Sequence, residues 1–224
     1  MKRFNKVLLT GVMFFLPLVI LIGAVNFTAR MPDFYQYEFN SARTAKAIGV
    51  SIKNDELAGL FSDFMWGMSQ ELALEVPFAG DEMSNIFLEE EERALGRLRT
   101  ILNAFSLAGA VIAMAVAGSY YVLLRDGDKK ELRRAFLLSV PVLLAFDGAL
   151  AALLLLSVTG GGVEAFFLGG PLPESGALLQ MLSRALLVHG VLTAVALSLI
   201  LYIIAGMITW SLTKPYRMFG PMRR

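Results

Sequence analysis

Few residues of this chain are of types that do chemistry, and most of those stand alone in apolar surroundings. His189 is the only histidine. It falls about one turn inside the last apolar run, where it reads either as a general base at a membrane surface or as an interfacial histidine bonded to a carbonyl or head group. Asp147 stands near the middle of the third apolar run. A carboxylate at that depth costs about 2.5 to 3.5 kcal/mol, so it must face other helices, either as a functional group or protonated against a hydroxyl such as Ser198 or Thr193. Glu164 lies just ahead of Phe166 and Phe167 in a glycine-rich loop and is a second candidate base. The aromatic pair reads as a lip over an acyl-binding groove or as loop residues resting on lipid. Tyr35 and Tyr37, with Phe34 and Phe39, either order lipid or substrate or form an interfacial aromatic belt. Arg97 and Arg99 follow four consecutive acids, Glu89 to Glu92, and are candidate donors to an oxyanion or head group. The acids themselves read as a solvated helix start that suits the helix dipole.

Other chemistries are excluded by what the sequence lacks. One histidine cannot build a multi-histidine metal site, and the acidic run has neither H-E-x-x-H nor EF-hand spacing. No cysteine occurs, which removes disulfides, thiolate metal sites, a cysteine nucleophile and thiol lipidation. Gly160 to Gly162 has neither the strand-to-helix context nor the Lys-Ser/Thr of a phosphate cradle. No metal and no cofactor are expected. The formal net charge of +1, with basic residues in short clusters, gives no argument for nucleic acid.

The elements that must position these residues follow from hydropathy. With 224 residues, 56% of them hydrophobic, and a mean hydropathy of +0.63, the chain is too apolar for a soluble domain. The expected fold class is an all-α membrane protein: four transmembrane helices and a small, mostly helical extracytoplasmic domain between helices 1 and 2. Residues 1–25 hold the first span, whose uncharged run Val7 to Val25 is long enough to cross a bilayer and lacks a small-residue cleavage pattern, so it reads as a retained anchor. Residues 26–102 form the polar domain, with 13 acids against 7 bases. Within it Leu57, Leu60, Phe61, Phe64, Met65 and Met68 keep helical spacing, with Asn54 or Ser51 as cap. Leu72 to Phe78 alternates as a short strand would, ended by a turn at Gly80 and Asp81. The run FLEEEERALGRLRTILN, Phe87 to Asn103, carries one apolar stripe from the charged side into the second span, and predicts a single helix entering the bilayer. The remaining boundaries are 103–124 for span two, 125–134 for a basic connection, 135–158 for span three with a bend at Pro141, 159–184 for a second outside loop, 185–213 for span four and 214–224 for a basic tail. Basic residues number three before span one, five between spans two and three, and four after span four, which puts both termini of this multi-pass protein in the cytoplasm.

Four stretches carry a resemblance: FYQYEF at Phe34 to Phe39, IGVS at Ile48 to Ser51, ELAGLFSDFMWGM at Glu56 to Met68, and the acidic helix feeding span two. Together with the order of spans and loops they resemble the integral membrane family that includes the lipoprotein intramolecular transacylases. The resemblance spans nearly the whole chain in architecture, and its motifs concentrate in Phe34 to Met68. It implies an outside-facing acyl shift, in which a diacylglyceryl-cysteine lipoprotein passes one acyl chain to its own N-terminal amine. It further implies a histidine in the acidic helix and a polar site ahead of the aromatic pair in the second loop. Leu95 stands about where that histidine is expected, and Val163 and Glu164 precede the pair. On this reading Glu164 or His189 is the base, and Arg97, Arg99 or Tyr37 contacts the oxyanion or head group. The implied partners are membrane lipid and lipoproteins. Two competing expectations are a non-catalytic membrane subunit that binds a partner protein or lipid through its outer domain, and an ion-coupled transporter using Asp147.

Overall fold

The computed structural model describes residues 3–68, 75–77, 83–158 and 176–214. It is helical apart from one small hairpin. The elements in chain order are α1 (Arg3–Thr28), α2 (Pro32–Ala42), α3 (Thr44–Ala47), α4 (Asn54–Trp66), β1 (Glu75–Pro77), β2 (Met83–Asn85), α5 (Glu89–Arg125), α6 (Lys129–Leu138), α7 (Val140–Val158), α8 (Ala177–Met181) and α9 (Arg184–Leu212). Four helical segments are long and apolar enough to cross a membrane: α1, α5, Lys129–Leu153 across α6 and α7, and α9. Their outward faces carry exposed Leu107, Met114, Leu192, Ile203 and Met207, which only a hydrocarbon solvent makes favourable.

Polar contacts fix how the spans run. At one end Asn5 Nδ2 donates to Asp126 (3.1 Å) and Asp128 (2.7 Å), while Arg133 Nε donates to Thr213 Oγ1. The start of α1, the turn between α5 and α6, and the end of α9 therefore meet, and the four segments alternate up and down. At the other end Ser106 Oγ donates to Asn26 Oδ1 (2.8 Å) and Arg30 Nη2 to Asn103 Oδ1 (2.7 Å), joining α1 to α5. Between these ends α1 and α5 approach closely at Gly109, where a Cβ would lie 2.8 Å from Ile22 Cγ2.

The sharply charged start of α5 behaves as its stripe predicts, running as one 37-residue helix from Glu89 to Arg125. The third span is interrupted at Ser139 rather than merely bent. Pro141 has no N–H to give to the carbonyl of Leu137, and α6 ends at Leu138 while α7 starts at Val140. Ser139 and Tyr202 fill the break, both hydroxyls reaching the Phe136 carbonyl at 2.6 Å.

Helices α2 to α4 form a cap on the end of the bundle away from the termini. Its core is aromatic: Tyr35, Phe39 and Phe61 stack edge-on, with the Tyr35 and Phe61 centroids 4.8 Å apart. Leu57, Phe61, Phe64 and Met65 are buried as their spacing predicts, but Leu60 and Met68 are exposed. Neither expected cap residue closes α4. Lys53 occupies that position, and Asn54 instead accepts from the Ala45 amide at 2.9 Å, tying α3 to α4. The helix ends at Gly67, whose φ of 82° only glycine adopts without strain. The expected strand is present as β1, paired antiparallel to β2 with Glu75 opposite Asn85.

Candidate functional site

An apolar cavity of about 410 Å³ lies where the cap meets the bundle. Its walls are Leu21, Ile22 and Val25 of α1, Leu98, Ile101, Leu102 and Phe105 of α5, Leu150 and Leu153 of α7, and Leu186, Leu187, Gly190, Val191 and Ala194 of α9. Phe34, Tyr35, Phe61 and Met65 of the cap roof it. Helical spacing accounts for the walls, because each span turns an i, i+3, i+4 stripe inward. Gly190 keeps the space open, and a Cβ there would rest 3.5 Å from the Phe34 ring.

Few polar atoms reach this space. Asn26 Nδ2 is held by the Ile22 carbonyl at 3.0 Å. Tyr35, in the roof, is buried and donates to the Ala29 carbonyl at 2.7 Å, and burial pushes its phenol above the ordinary tyrosine range. Thr28 also lines the wall, and its buried hydroxyl has no hydrogen-bond partner among the described residues. The Arg30 guanidinium is buried two residues on, with its Nε unpaired, and its carbonyl accepts from Ser62 (2.7 Å) and Trp66 (3.0 Å) of α4. Burial pushes the Arg30 guanidinium below its ordinary range. A wall this apolar, with one orphan hydroxyl, suits an aliphatic chain ending in an acceptor such as an ester carbonyl.

His189 is neither alone nor bonded to a backbone carbonyl. Its Nδ1 lies 2.8 Å from Glu38 Oε1, a buried carboxylate on α2, while the ring is half exposed. A carboxylate only accepts, so Nδ1 carries a proton, and in the neutral ring Nε2 then holds the lone pair that a general base uses. The cavity stripe of α9 runs through residues 186, 187, 190, 191 and 194, so at 100° per residue His189 stands on the flank beside the wall. Phe34 covers the cavity one turn before Glu38 on α2. The pair thus sits at the rim of the cavity, with α2 bridging the two.

The other expected residues scatter. Tyr37 is exposed on α2. Arg97 is exposed on α5, and Arg99 lies over the Phe64 ring, 5.2 Å from its centroid. Neither arginine lines the cavity among the described residues. Leu95, at the position where the resemblance implies a histidine, is fully buried in the apolar cluster. Glu164, Phe166 and Phe167 lie outside the described residues. Asp147 is buried between α7 and α9 with Ser198 Oγ 3.0 and 3.1 Å from its two carboxyl oxygens. Ser198 Oγ also lies 2.8 Å from the Val195 carbonyl, so its one proton is shared among these three acceptors. No group of three or more metal-ligating side chains occurs among the described residues.

Sequence reasoning missed three residues. Glu38 lies among the noted aromatics and one helical turn after Phe34, but nothing local marks its partner 151 residues away. Thr28 is an ordinary helix-end threonine until its bonds are counted. Glu91 belongs to the run read as solvated, yet it is fully buried, accepting from the amides of Leu88 (3.0 Å) and Leu178 (2.7 Å).

Four alternating spans, a helical cap and an apolar cavity beneath it define an integral membrane protein built around a lipid-sized space. The same fold is found in solved structures. The membrane integral lipoprotein intramolecular transacylase Lit from Bacillus cereus, carrying a histidine-to-arginine substitution, superposes with a TM-score of 0.72 over 96% of this chain and 95% of that one, at 13% identity. The same protein with that histidine changed to alanine gives 0.70 over 97% of both chains, at 14% identity. The chain therefore has the Lit fold. No family model and no curated protein matches the sequence.

Proposed function

We propose that this protein binds an acyl chain of a lipid-modified substrate in the cavity beneath the cap and transfers it, in the manner of a lipoprotein transacylase. The observation that carries this is the apolar cavity of about 410 Å³ set beside the Glu38–His189 pair in a Lit fold. The basic residues cluster at the end where the termini meet, so the cap and cavity belong at the outer leaflet. An amine of the substrate attacks an ester carbonyl of its own lipid. His189 Nε2 removes the ammonium proton, Glu38 holds the ring in the required tautomer, and the same proton returns to the departing alkoxide, so the step needs no cofactor. Thr28, whose unpartnered hydroxyl belongs to the cavity wall, is the candidate donor to the acyl carbonyl, and the exposed Tyr37 and Arg97 are the candidate contacts for the oxyanion or head group. Glu164, ahead of Phe166 and Phe167, is a candidate second base on the loop.

Mass spectrometry of lipoprotein N-termini, in cells with and without the chain, tests the reading. Loss of N-acyl product on deletion, and its failure to return with His189→Gln or Glu38→Gln, is the expected result. An unchanged acylation pattern sinks it. One observation favours a second reading, a non-catalytic subunit that uses the cavity to bind lipid or a partner: buried Leu95 replaces the base that the fold's transacylase resemblance implies. Under that reading deletion leaves acylation intact, and a stoichiometric partner copurifies.

A further inference from the structure

The opposite end of the bundle holds a second lipid-facing feature, independent of the cavity and of the activity proposed for it. Arg133 of α6 is mounted on α9 by two contacts. Its Nε donates to Thr213 Oγ1 at 2.5 Å, and its guanidinium carbon lies 4.3 Å from the centroid of the Trp210 ring. Neither Nη atom has a hydrogen-bond partner among the described residues, so the fork is held flat with its two outer nitrogens unused. Below it an apolar groove of about 280 Å³ runs between Phe136, Leu137, Gly206, Met207 and Trp210. Gly206 sets its depth, because a Cβ there would meet the Phe136 ring at 3.1 Å. Leu137, Met207 and Trp210 are all more than half exposed, at 60%, 61% and 54%.

Arg125, Lys129, Lys130, Arg134 and Lys214 belong to the same end and add to its positive charge. No acid among the described residues pairs with the fork: Asp126 and Asp128 accept from Asn5, and Glu131 lies about 200° around α6 from Arg133. An ordered, unpaired guanidinium at the end of two spans attracts anions, and its planar fork matches the oxygens of a phosphodiester. The groove continues from that fork along the spans, in the direction an acyl chain takes. A Trp stacked beneath the guanidinium belongs at head-group depth.

We infer that Arg133, Trp210 and Thr213 form a binding site for an anionic phospholipid, with its phosphate on the Arg133 fork and one acyl chain in the Phe136–Gly206 groove. Such a site bridges α6 and α9 on the α6 side of the break at Ser139 and is specific for head-group charge rather than annular.

Trp210 reports on the site directly once Trp66, the other tryptophan, is changed to phenylalanine. The full chain in detergent is titrated with brominated phosphatidylglycerol or brominated phosphatidylcholine, and quenching of Trp210 is followed. Half-maximal quenching is expected at about tenfold lower concentration of the anionic lipid, the factor that one or two charge-assisted hydrogen bonds supply. Arg133→Gln should abolish that preference, and Arg134→Gln, an exposed arginine without the mount, should retain it. Thr213→Val, which keeps the volume but frees the fork, should reduce it several-fold and serves where Arg133→Gln does not purify. Equal quenching by the two lipids overturns the inference. So does a preference that both Arg133→Gln and Thr213→Val leave intact.

Discussion

Replacing Glu91 by glutamine should loosen α8 from the start of α5 although it changes only one heavy atom. Glu91 is fully buried, and its two carboxylate oxygens accept from two separated backbone amides, Leu88 at the start of α5 and Leu178 in α8. Glutamine offers one oxygen and one NH2 group, so one of those amides must face a donor. Hydrogen bonds to a charged acceptor contribute about 1.5 to 3 kcal/mol each, and a buried unpaired donor costs about 1 to 3 kcal/mol. The Gln variant therefore loses about 2 kcal/mol, and Glu91→Ala, which orphans both amides, about 3 to 5 kcal/mol. The loss is local, because α8 is a single turn that depends on Glu91 and on burial of Leu178 and Met181. Hydrogen exchange read by mass spectrometry on the peptide spanning Ala177–Met181 should accelerate on the order of thirtyfold in Glu91→Gln, while peptides inside α1 and the membrane half of α5 stay protected. Glu89→Gln and Glu90→Gln, on exposed positions of the same run, should leave that peptide unchanged. Exchange in Glu91→Gln equal to wild type, or acceleration spread evenly over the chain, refutes the reasoning.

Other substitutions probe the bundle and its cavity. Asp147→Asn should stay within about 0.5 kcal/mol of wild type in thermal melts, because the amide oxygen can accept from Ser198 as the carboxyl oxygen does; unchanged function in that variant also removes the transporter reading. Gly109→Ala drives a Cβ into Ile22 and should destabilise by about 1 to 3 kcal/mol, whereas Gly118→Ala, with nothing within 4 Å, should be neutral or stabilising in the same melts. Gly190→Leu fills the cavity from its own wall, and should cut copurifying acyl lipid, measured by mass spectrometry, roughly tenfold without lowering the melting temperature.

The spans were legible because a bilayer imposes one demand, a run of about 20 apolar residues, and Val7 to Val25 and Asn103 to Leu124 answer it without help from the rest of the chain. The Asp147–Ser198 contact was legible for a related reason: a carboxyl group at known depth needs a polar group on another span at the same depth, and few exist. The rim of the cavity obeys no such one-dimensional rule. Whether Glu91 is solvated like Glu89 and Glu90 depends on where a turn 87 residues later happens to dock, and the sequence marks that amide no differently from any other. Asn54 resembles a helix cap by type, yet the Ala45 amide is near enough to take its oxygen first. Glu38 and His189 are 151 residues apart, on a cap helix and the last span, and each taken singly reads as bland. Their pairing changes the chemical argument most. A histidine with a buried carboxylate on Nδ1 is oriented, and under the proposed reading it is the base at the edge of a lipid-sized cavity. Leu95 is buried in the apolar cluster and is not among the residues that line the cavity, so under the proposed reading the base is His189. That makes the failure of Glu38→Gln to restore N-acylation the most discriminating result, since Glu38 reaches substrate only through His189.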